Sequence, residues 1–411
     1  MNRVVSRRMA YYKELARLRE TRTRTYKRFA SIAAREPNLY TPGPLTTSLP
    51  VKQAMMVDLG SRDERFLNVI KEVQSELLDL AGVSKEDGYE CVLMQGSGTF
   101  AVESVIGSVL PKKEGKLLIL SNGAYGDRMK NMCEVMNIDH DIIRYSDREV
   151  PVAEDAVKRV TEDKSITHVA TIHHETTTGA LNPIGEIGRA LKKCDPSLTY
   201  IVDSMSAFGA YPVNMKEDNV SYLVSSANKC IEGVPGFAFA LCEKNDLVST
   251  EGYARSLSLD LFGQWKGLEG NGQFRFTPPT HSLLAFRQAL VEHMEEGGAQ
   301  GRLDRYESNF RVLRDGMKEM GFNLYLDDSI QGAIISTFLV PDDPKFDFQD
   351  FYQRLSDLGA VIYPGKLTEA DSLRIGSIGR LFERDMHFIL RSVRQVLDDM
   401  DVKLPVKQMG G

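Results

Sequence analysis

Apolar runs recur along the chain between about residues 65 and 250, and amphipathic patterns fill the intervals between them. Runs that are apolar throughout are typical of strands buried on both faces of a sheet. We predict strands at 90–95, 116–122, 139–145, 167–175, 199–205, 222–227 and 237–242, with helices between them, as at 99–110 and 186–194. This alternation predicts an α/β fold with a mostly parallel seven-stranded sheet.

The pattern changes after about residue 285. Long amphipathic helices at 283–298 and 302–321 precede short strands at 333–340 and 361–365, and the chain closes with a helix at 384–400. We therefore expect a large α/β domain at 38–285 and a smaller α+β domain at 286–411. A basic extension, residues 1–37, precedes both.

Charge is distributed unevenly. Residues 1–37 contain eleven Lys and Arg against three Glu, a charge of +8, so the net charge of -6 leaves -6 - 8 = -14 for the rest. An acidic body argues against nucleic acid as the main partner. The extension is compatible with a surface helix, a linker or an organelle-targeting segment, and the sequence leaves these alternatives open.

Cysteine usage and hydropathy restrict the compartment. The five cysteines are scattered without CxxC spacing, which argues against a disulfide framework or a zinc site and favours a reducing compartment. No apolar run approaches 18 residues, so no membrane span is expected. We expect a cytoplasmic protein, with organelle targeting by the extension still possible.

One small-residue turn is a candidate phosphate site. In LMQGSGTFAVES, residues 93–104, a strand leads through Ser97, Gly98 and Thr99 directly into a helix. Such a turn presents free N–H groups, hydroxyls and the positive end of a helix dipole. It lacks both the P-loop and the dinucleotide patterns. The alternative is a tight turn that only lets the helix pack closely.

Two charged residues follow neighbouring strands. Asp203 ends the strand in TYIVDSM, and Lys229 follows the next strand within SSANKCIEGVPGFAF. Either could be an ordinary capping or ion-pairing residue. A buried lysine, however, becomes nucleophilic when desolvation lowers its pKa. A phosphate cradle, a strand-end carboxylate and such a lysine are together the contacts that pyridoxal 5'-phosphate requires.

Further candidates lie in other turns. Tyr125 in SNGAYGDRM could stack on an aromatic ring, and HHETTTG places His173 and three threonines after a strand. Arg374 lies between apolar residues in DSLRIGSIG, where a guanidinium suits a carboxylate or a phosphonate, or an ordinary buried ion pair. Thr277, in RFTPPTH, precedes a helix and could complete a phosphate site.

These stretches resemble the class V branch of the fold-type I pyridoxal-phosphate enzymes, over residues 38–400. The resemblance rests on LYTPGPLTTS, LMQGSGTFAVESVIGS, SNGAYGDRM, HHETTTGALNPI, YIVDSMSAFG, SSANKCIEGVPGFAF, RSLSLDLFGQW, RFTPPTH and VIYPGK. Within the branch, SSANKCIEGVPGFAF and RSLSLDL are similar to the transaminases that act on 2-aminoethylphosphonate and pyruvate. The basic extension and His174, where the family has a smaller residue, depart from the pattern.

The resemblance implies a role for each matching position. Lys229 would form the Schiff base with the cofactor, and Asp203 would pair with its ring nitrogen. Ser97, Gly98 and Thr99 would bind the cofactor phosphate, Tyr125 would stack on its ring, and Thr176 would lie near its ring oxygen. Arg374 would bind the acidic group of the substrates, and Gly43 would line the substrate pocket. Thr277 would reach the phosphate of the other protomer's cofactor. The last role implies a homodimer with shared active sites.

The implied reaction belongs to phosphonate catabolism. It converts 2-aminoethylphosphonate to phosphonoacetaldehyde and pyruvate to alanine. The nearest alternative is an alanine or serine transaminase of the same family that uses glyoxylate or pyruvate. A different class is a lyase or a desulfurase on the same scaffold. A desulfurase would need a reactive cysteine near the site, and we expect Cys230 only to pack. A non-catalytic member of the fold would be signalled by loss of the lysine, which is present.

Overall fold

A computed structural model of the chain describes residues 36–365, 367 and 371–407. The basic extension predicted at 1–37 lies outside these residues except for Glu36 and Pro37. No described helix is long and apolar enough to cross a membrane.

The secondary structure follows the predicted alternation through the first two thirds of the chain. The described strands are β1 (Asn38–Leu39), β2 (Tyr89–Gln95), β3 (Lys116–Ser121), β4 (Asp139–Arg144), β5 (Ile166–Ile172), β6 (His174–Glu175), β7 (Ala180–Leu181), β8 (Thr199–Asp203), β9 (Tyr222–Ser226), β10 (Phe237–Glu243), β11 (Ile335–Leu339), β12 (Ala360–Val361), β13 (Tyr363–Pro364) and β14 (Ser372–Gly376). The described helices are α1 (Leu49–Ala54), α2 (Glu64–Leu80), α3 (Gly98–Val109), α4 (Ala124–Val135), α5 (Ala153–Glu162), α6 (Ile184–Cys194), α7 (Lys244–Ser249), α8 (Leu261–Asn271), α9 (Thr280–Glu295), α10 (Gly298–Glu319), α11 (Phe348–Asp357) and α12 (Glu383–Asp399).

The central sheet has seven strands in the order β2-β10-β9-β8-β5-β3-β4. Strand β10 is antiparallel to both of its neighbours, and the other pairs are parallel. The predicted mostly parallel seven-stranded sheet is therefore confirmed. Its inner strands are almost wholly buried, because helices cover both faces of the sheet.

Two large hydrophobic cores and two small apolar clusters are present in the described part of the chain. The first surrounds the central sheet and runs from Val51 to Leu290. The second joins Tyr40 to residues between Leu313 and Val406, around the three-stranded sheet β11-β14-β13. The two-residue strand β1 pairs with β12, so the start of the described chain is attached to the second core.

The carboxyl ends of several strands meet at one edge of the central sheet. Strands β8 and β9 end there in parallel, at Asp203 and Ser226. The turn after β2 reaches the same edge, since the Gly96 N–H donates to the Gly236 carbonyl, 3.1 Å away, in the segment that leads into β10. Ligands of open α/β sheets bind at this kind of edge.

Candidate active site

Lys229 lies in the turn between β9 and β10. Its Nζ donates to the Pro42 carbonyl, 2.7 Å away. Gly43 has φ of +127°, and a Cβ there would lie 2.9 Å from Nζ, so the N-terminal loop can approach the lysine only because this residue is glycine. Lys229 is half-buried beside a cleft lined by Tyr125 and Asp203, and desolvation by the surrounding protein lowers the pKa of its amine.

Asp203 ends β8 and lines the same cleft. Its Oδ1 accepts from the Met205 N–H at 2.9 Å. The residue is buried, and desolvation raises its pKa to about 6, although the Met205 N–H and the positive charges of Lys229 and Arg128 oppose the shift. A buried carboxyl whose pKa is raised by desolvation can bind a positively charged group inside the cleft.

The turn before α3 forms an anion cradle, defined here as Ser97, Gly98 and Thr99. Ser97 is the N-cap but makes no side-chain cap bond, and no described group accepts from the N–H of Gly98 or Thr99. A Cβ on Gly98 would collide with the Met205 side chain. Free N–H groups at the start of a 12-residue helix suit an anionic oxygen.

Two residues that we did not predict complete this part of the cleft. Arg128 donates from Nη1 to Thr99 Oγ1 at 3.1 Å, and its guanidinium lies 4.6 Å from the centroid of the Tyr125 ring. Met205 lines the cleft together with Tyr125 and Asp203. Arg128 brings a positive charge to the anion cradle. Its position three residues after Tyr125, on the same face of α4, was the signal in the sequence.

Arg374 reaches the cleft from β14 in the smaller sheet. Its Nη1 donates to the Thr176 carbonyl at 2.7 Å and its Nε to the Pro364 carbonyl at 3.1 Å. Within the described part of the chain, Nη2 has no acceptor. Arg374 is almost fully buried, and desolvation lowers its pKa while Tyr125 and Glu175 oppose that shift. A buried guanidinium with an unused nitrogen is suited to an anionic ligand.

Glu175 is a buried carboxyl that connects the turns around the cleft. Its Oε1 accepts from the N–H and the hydroxyl of Thr177, and its Oε2 accepts from the Tyr125 N–H. Desolvation raises its pKa to about 7 against these hydrogen bonds. Its contacts hold Thr177 and the backbone of Tyr125, so it supports one predicted site residue, Tyr125.

The structure brings most of the predicted residues together. Gly98, Thr99, Tyr125 and Asp203 line one cleft, and the remaining partners next to it are Lys229, Gly43, Thr176 and Arg374. Ser97 is exposed at its rim. Thr277 is exposed on the loop before α9 and does not line this cleft in its own chain. His173 lies behind Asp203, with its Nδ1 2.8 Å from Ser204 Oγ.

A larger cavity, of about 590 Å³, lies elsewhere, between α2 and the end of α8. Two of its charged residues, Lys85 and Glu269, pair with each other, and Lys85 also pairs with the buried Glu90. We therefore locate the site by its chemistry and not by the size of the cavity.

Comparisons with known proteins agree with this geometry. The family model for class V aminotransferases matches residues 54–351. A 2-aminoethylphosphonate–pyruvate transaminase of Salmonella paratyphi C is 46% identical over 361 residues, which cover 87% of this chain and 97% of that protein. One from Klebsiella pneumoniae is 47% identical over 357 residues, 86% and 96% of the two chains. The chain belongs to the class V aminotransferase family.

Solved structures show the same fold. A ureidoglycine–glyoxylate aminotransferase of Bacillus subtilis superposes with a TM-score of 0.81 at 22% identity, over 90% of this chain and 94% of that one. An alanine–glyoxylate aminotransferase of a Nostoc species superposes with a TM-score of 0.79 at 24% identity, over 88% and 95%. At these identities, the likeness bears on the fold alone, which is fold-type I.

Proposed function

We propose that the chain is a pyridoxal 5'-phosphate-dependent transaminase that transfers the amino group of 2-aminoethylphosphonate to pyruvate. The products are phosphonoacetaldehyde and alanine. The observation that carries the proposal is that Asp203 lines a cleft beside the anion cradle, and that the charges of Lys229 and Arg374 lie close to it. The names of the relatives support the choice of substrates. A cytoplasmic location, expected from the cysteine usage, is part of the proposal.

The residues of the cleft fit the cofactor. The free N–H groups of the anion cradle and the Arg128 guanidinium suit its phosphate, Asp203 suits its ring nitrogen, and Lys229 suits its aldehyde. When bound, the cofactor supplies an aldehyde, which condenses with an amine, and a ring, which accepts electrons from the substrate carbon that carries the amino group.

Lys229 has the properties of a proton carrier for this reaction. Lowering the pKa of a primary amine by burial increases the fraction that is neutral near pH 7, and only the neutral amine can accept a proton from a substrate carbon. Asp203 favours a positive charge next to it, because a buried carboxylate is stabilised by an opposite charge. The Lys229 amine can therefore remove a proton from the substrate carbon, while Asp203 would keep the ring nitrogen of the cofactor protonated.

Arg374 suits the acidic group of both substrates. Its hydrogen bonds to the carbonyls of Thr176 and Pro364 fix the plane of the guanidinium and leave Nη2 able to donate to a ligand. Because a planar fork donates to the oxygens of a phosphonate or a carboxylate alike, one arginine can serve the donor in one half-reaction and pyruvate in the other.

Cys230 does not support a desulfurase. Its thiol is buried and donates to the Ser206 carbonyl at 3.1 Å. Burial raises the pKa of the thiol to about 12, so the reactive thiolate form is scarce near neutral pH. This agrees with the expectation that Cys230 only packs.

We further propose a homodimer in which Thr277 reaches the cofactor phosphate of the partner. Thr277 is exposed beside Phe276, which is 43% exposed, and Arg275 connects this loop to the neighbouring loop by donating to the Leu257 carbonyl. Leu257 is 75% exposed, and Phe100, next to the anion cradle, is 51% exposed. Exposed apolar side chains near a site are typical of a subunit interface. Sedimentation of the purified protein tests the dimer.

The reaction is tested by absorbance titration of the holoenzyme with 2-aminoethylphosphonate, and separately with alanine and serine. We expect the visible band of the cofactor held by Lys229 to disappear with the phosphonate donor and to return with pyruvate. Conversion by alanine or serine alone would overturn the choice of donor and favour the sister transaminases. Absence of any band after addition of pyridoxal 5'-phosphate would overturn the role of Lys229.

A further inference from the structure

Four polar residues form a buried stripe on one face of α10. Arg302, Arg305, Tyr306 and Asn309 follow the spacing i, i+3, i+4 and i+7, which places them on one side of the helix. Arg302 is 1% exposed, and Tyr306 and Asn309 are fully buried. Arginine is seldom buried unless it is paired. The residues of this polar stripe are therefore held there by specific contacts.

One side of the polar stripe contacts the turn that carries Lys229. The carboxylate of Glu232, three residues after the lysine, accepts from Arg305 Nη2 at 2.7 Å and from the Tyr306 hydroxyl at 2.6 Å. Arg302 donates to the Cys230 carbonyl. The Glu232 N–H in turn donates to the Lys229 carbonyl at 2.7 Å. Glu232 has φ of +64°, a strained conformation for a non-glycine residue, and these contacts hold it in place.

The other side of the polar stripe contacts the segment that follows Arg374. Arg305 Nη1 donates to the Gly379 carbonyl at 2.6 Å and to the Leu381 carbonyl at 2.9 Å. The Tyr306 hydroxyl accepts from the Gly379 N–H at 3.4 Å. Asn309 donates to the carbonyls of Ser377 and Leu381, one turn further along. This segment begins where β14, the strand of Arg374, ends.

Two side chains thus contact both segments at once. Arg305 and Tyr306 each contact Glu232 on the lysine side and Gly379 on the arginine side. The charges are balanced, because Glu296 pairs with Arg302 and Arg305 in addition to the pairs with Glu232. Because each buried charge in this network is paired, moving one charged member leaves another charge without its partner, and this makes the network rigid.

We propose that Arg305 and Tyr306, acting through Glu232, are positioning residues that set the separation between the Lys229 amine and the Arg374 guanidinium, and so select amino donors by length. The inference rests on the proposed function, in which the amine end of the donor meets Lys229 and its phosphonate meets Arg374. A misplacement of about 1 Å between groups that act on one substrate lowers its rate up to about a hundredfold. A rigid separation therefore discriminates between donors that differ by one methylene.

The test uses the holoenzymes of Tyr306→Phe and Arg305→Lys, which keep the ring and the charge respectively. The measurement is the ratio of kcat/KM for 2-aminoethylphosphonate to kcat/KM for 3-aminopropylphosphonate, with pyruvate as acceptor. We expect each variant to lower this ratio by about tenfold, because the loosened separation harms the shorter donor more than the longer one. We expect the double variant to show less than the product of the two effects, since both act on Glu232.

Tyr200→Phe is the matched control. Tyr200 is buried in the first core, and its hydroxyl has no hydrogen-bond partner among the described residues, so its removal should leave the ratio unchanged. A purely structural role for the polar stripe would lower both kcat/KM values in proportion, or would lower only the Tm. Either result would overturn the inference and leave the proposed function standing. If the wild-type enzyme transfers no amino group from 2-aminoethylphosphonate, the proposed function fails and the inference fails with it.

Discussion

Two clusters of buried charges lie within a few residues of each other, and they differ in how well each charge is paired. In the cleft cluster, desolvation raises the pKa of Asp203 to about 6 and of Glu175 to about 7, and it lowers the pKa of Lys229 and Arg374. In the polar stripe, burial also opposes the charges of Arg302 and Arg305. There, Glu232, Glu296 and Tyr306 outweigh it and raise the pKa of both arginines.

The difference separates two uses of a buried charge. A paired network holds its charges in the folded chain without help, so it fixes geometry. Groups that burial pushes toward neutrality are destabilising until a ligand supplies the missing partner, which is why such groups gather at functional sites. Removing a charge should therefore have opposite effects on the stability of the cofactor-free protein in the two clusters.

The largest effect is expected for Lys229→Met. We expect transamination to fall by more than about a thousandfold, because the amine that binds the cofactor and carries the proton is lost. The cofactor-free variant should nevertheless have a higher Tm than the wild type. The penalty of burying the charged amine is present below its lowered pKa and is relieved as the pH rises toward the value of a free lysine, so this gain should shrink in alkaline buffer.

Alanine formation and thermal unfolding test this prediction, with Lys158→Met, at an exposed position of α5, as the control. A cofactor-free Lys229→Met protein that melts below the wild type would show that the lysine stabilises the fold, and the contrast between the two clusters would be wrong.

Glu232→Ala should destabilise the fold by about 3–5 kcal/mol, since it leaves Arg305 charged and buried without one of its carboxylates. Denaturant unfolding of the cofactor-free protein measures this free energy. Glu134→Ala, which removes an exposed carboxylate paired with Lys130, is the control and should have little effect. A loss below about 1 kcal/mol for Glu232→Ala would indicate that the polar stripe relaxes easily and cannot fix any separation.

Glu175→Gln should change the pH dependence of stability. Burial raises the pKa of Glu175 from 4.5 to about 7, so its contribution is fully present below pH 4.5 and is lost as the pH rises to about 7. That difference corresponds to about 3 kcal/mol, which the amide variant does not lose. We expect the wild type to weaken relative to the variant between pH 4.5 and 7.5. Parallel stability curves, as expected for the exposed Glu154→Gln, would contradict the prediction.

Much of the fold could be predicted from the chain because its signals are local. Segments rich in apolar and β-branched residues located the seven central strands, and the strand ends indicated where Asp203 and Lys229 meet. The reversed direction of β10 was not predicted. Only residues 227–236 separate it from β9, which is too short for a parallel crossover connection of a dozen or more residues, so loop length carried that information.

The site was predictable where a residue type carries its own chemistry and not where its partners define it. Lys229 and Arg374 stand out among apolar neighbours in the sequence. Glu175 and Arg128 do not, because their importance comes from contacts with Tyr125 and Thr99. The polar stripe has a clear helical period, but its two partners lie about 70 residues away on either side, and no local pattern connects them.

The two edge strands of the central sheet, β2 and β4, are kept from pairing with other molecules in different ways. Strand β2 is almost wholly buried beneath neighbouring helices, whereas β4 forms an open edge that carries Asp139, Asp141 and Arg144. Charged side chains on an edge strand oppose its pairing with a strand of another molecule. A sheet whose inner strands are mostly apolar thus avoids extending into an intermolecular sheet, and replacing these three charges would expose the protein to that risk during folding at high concentration.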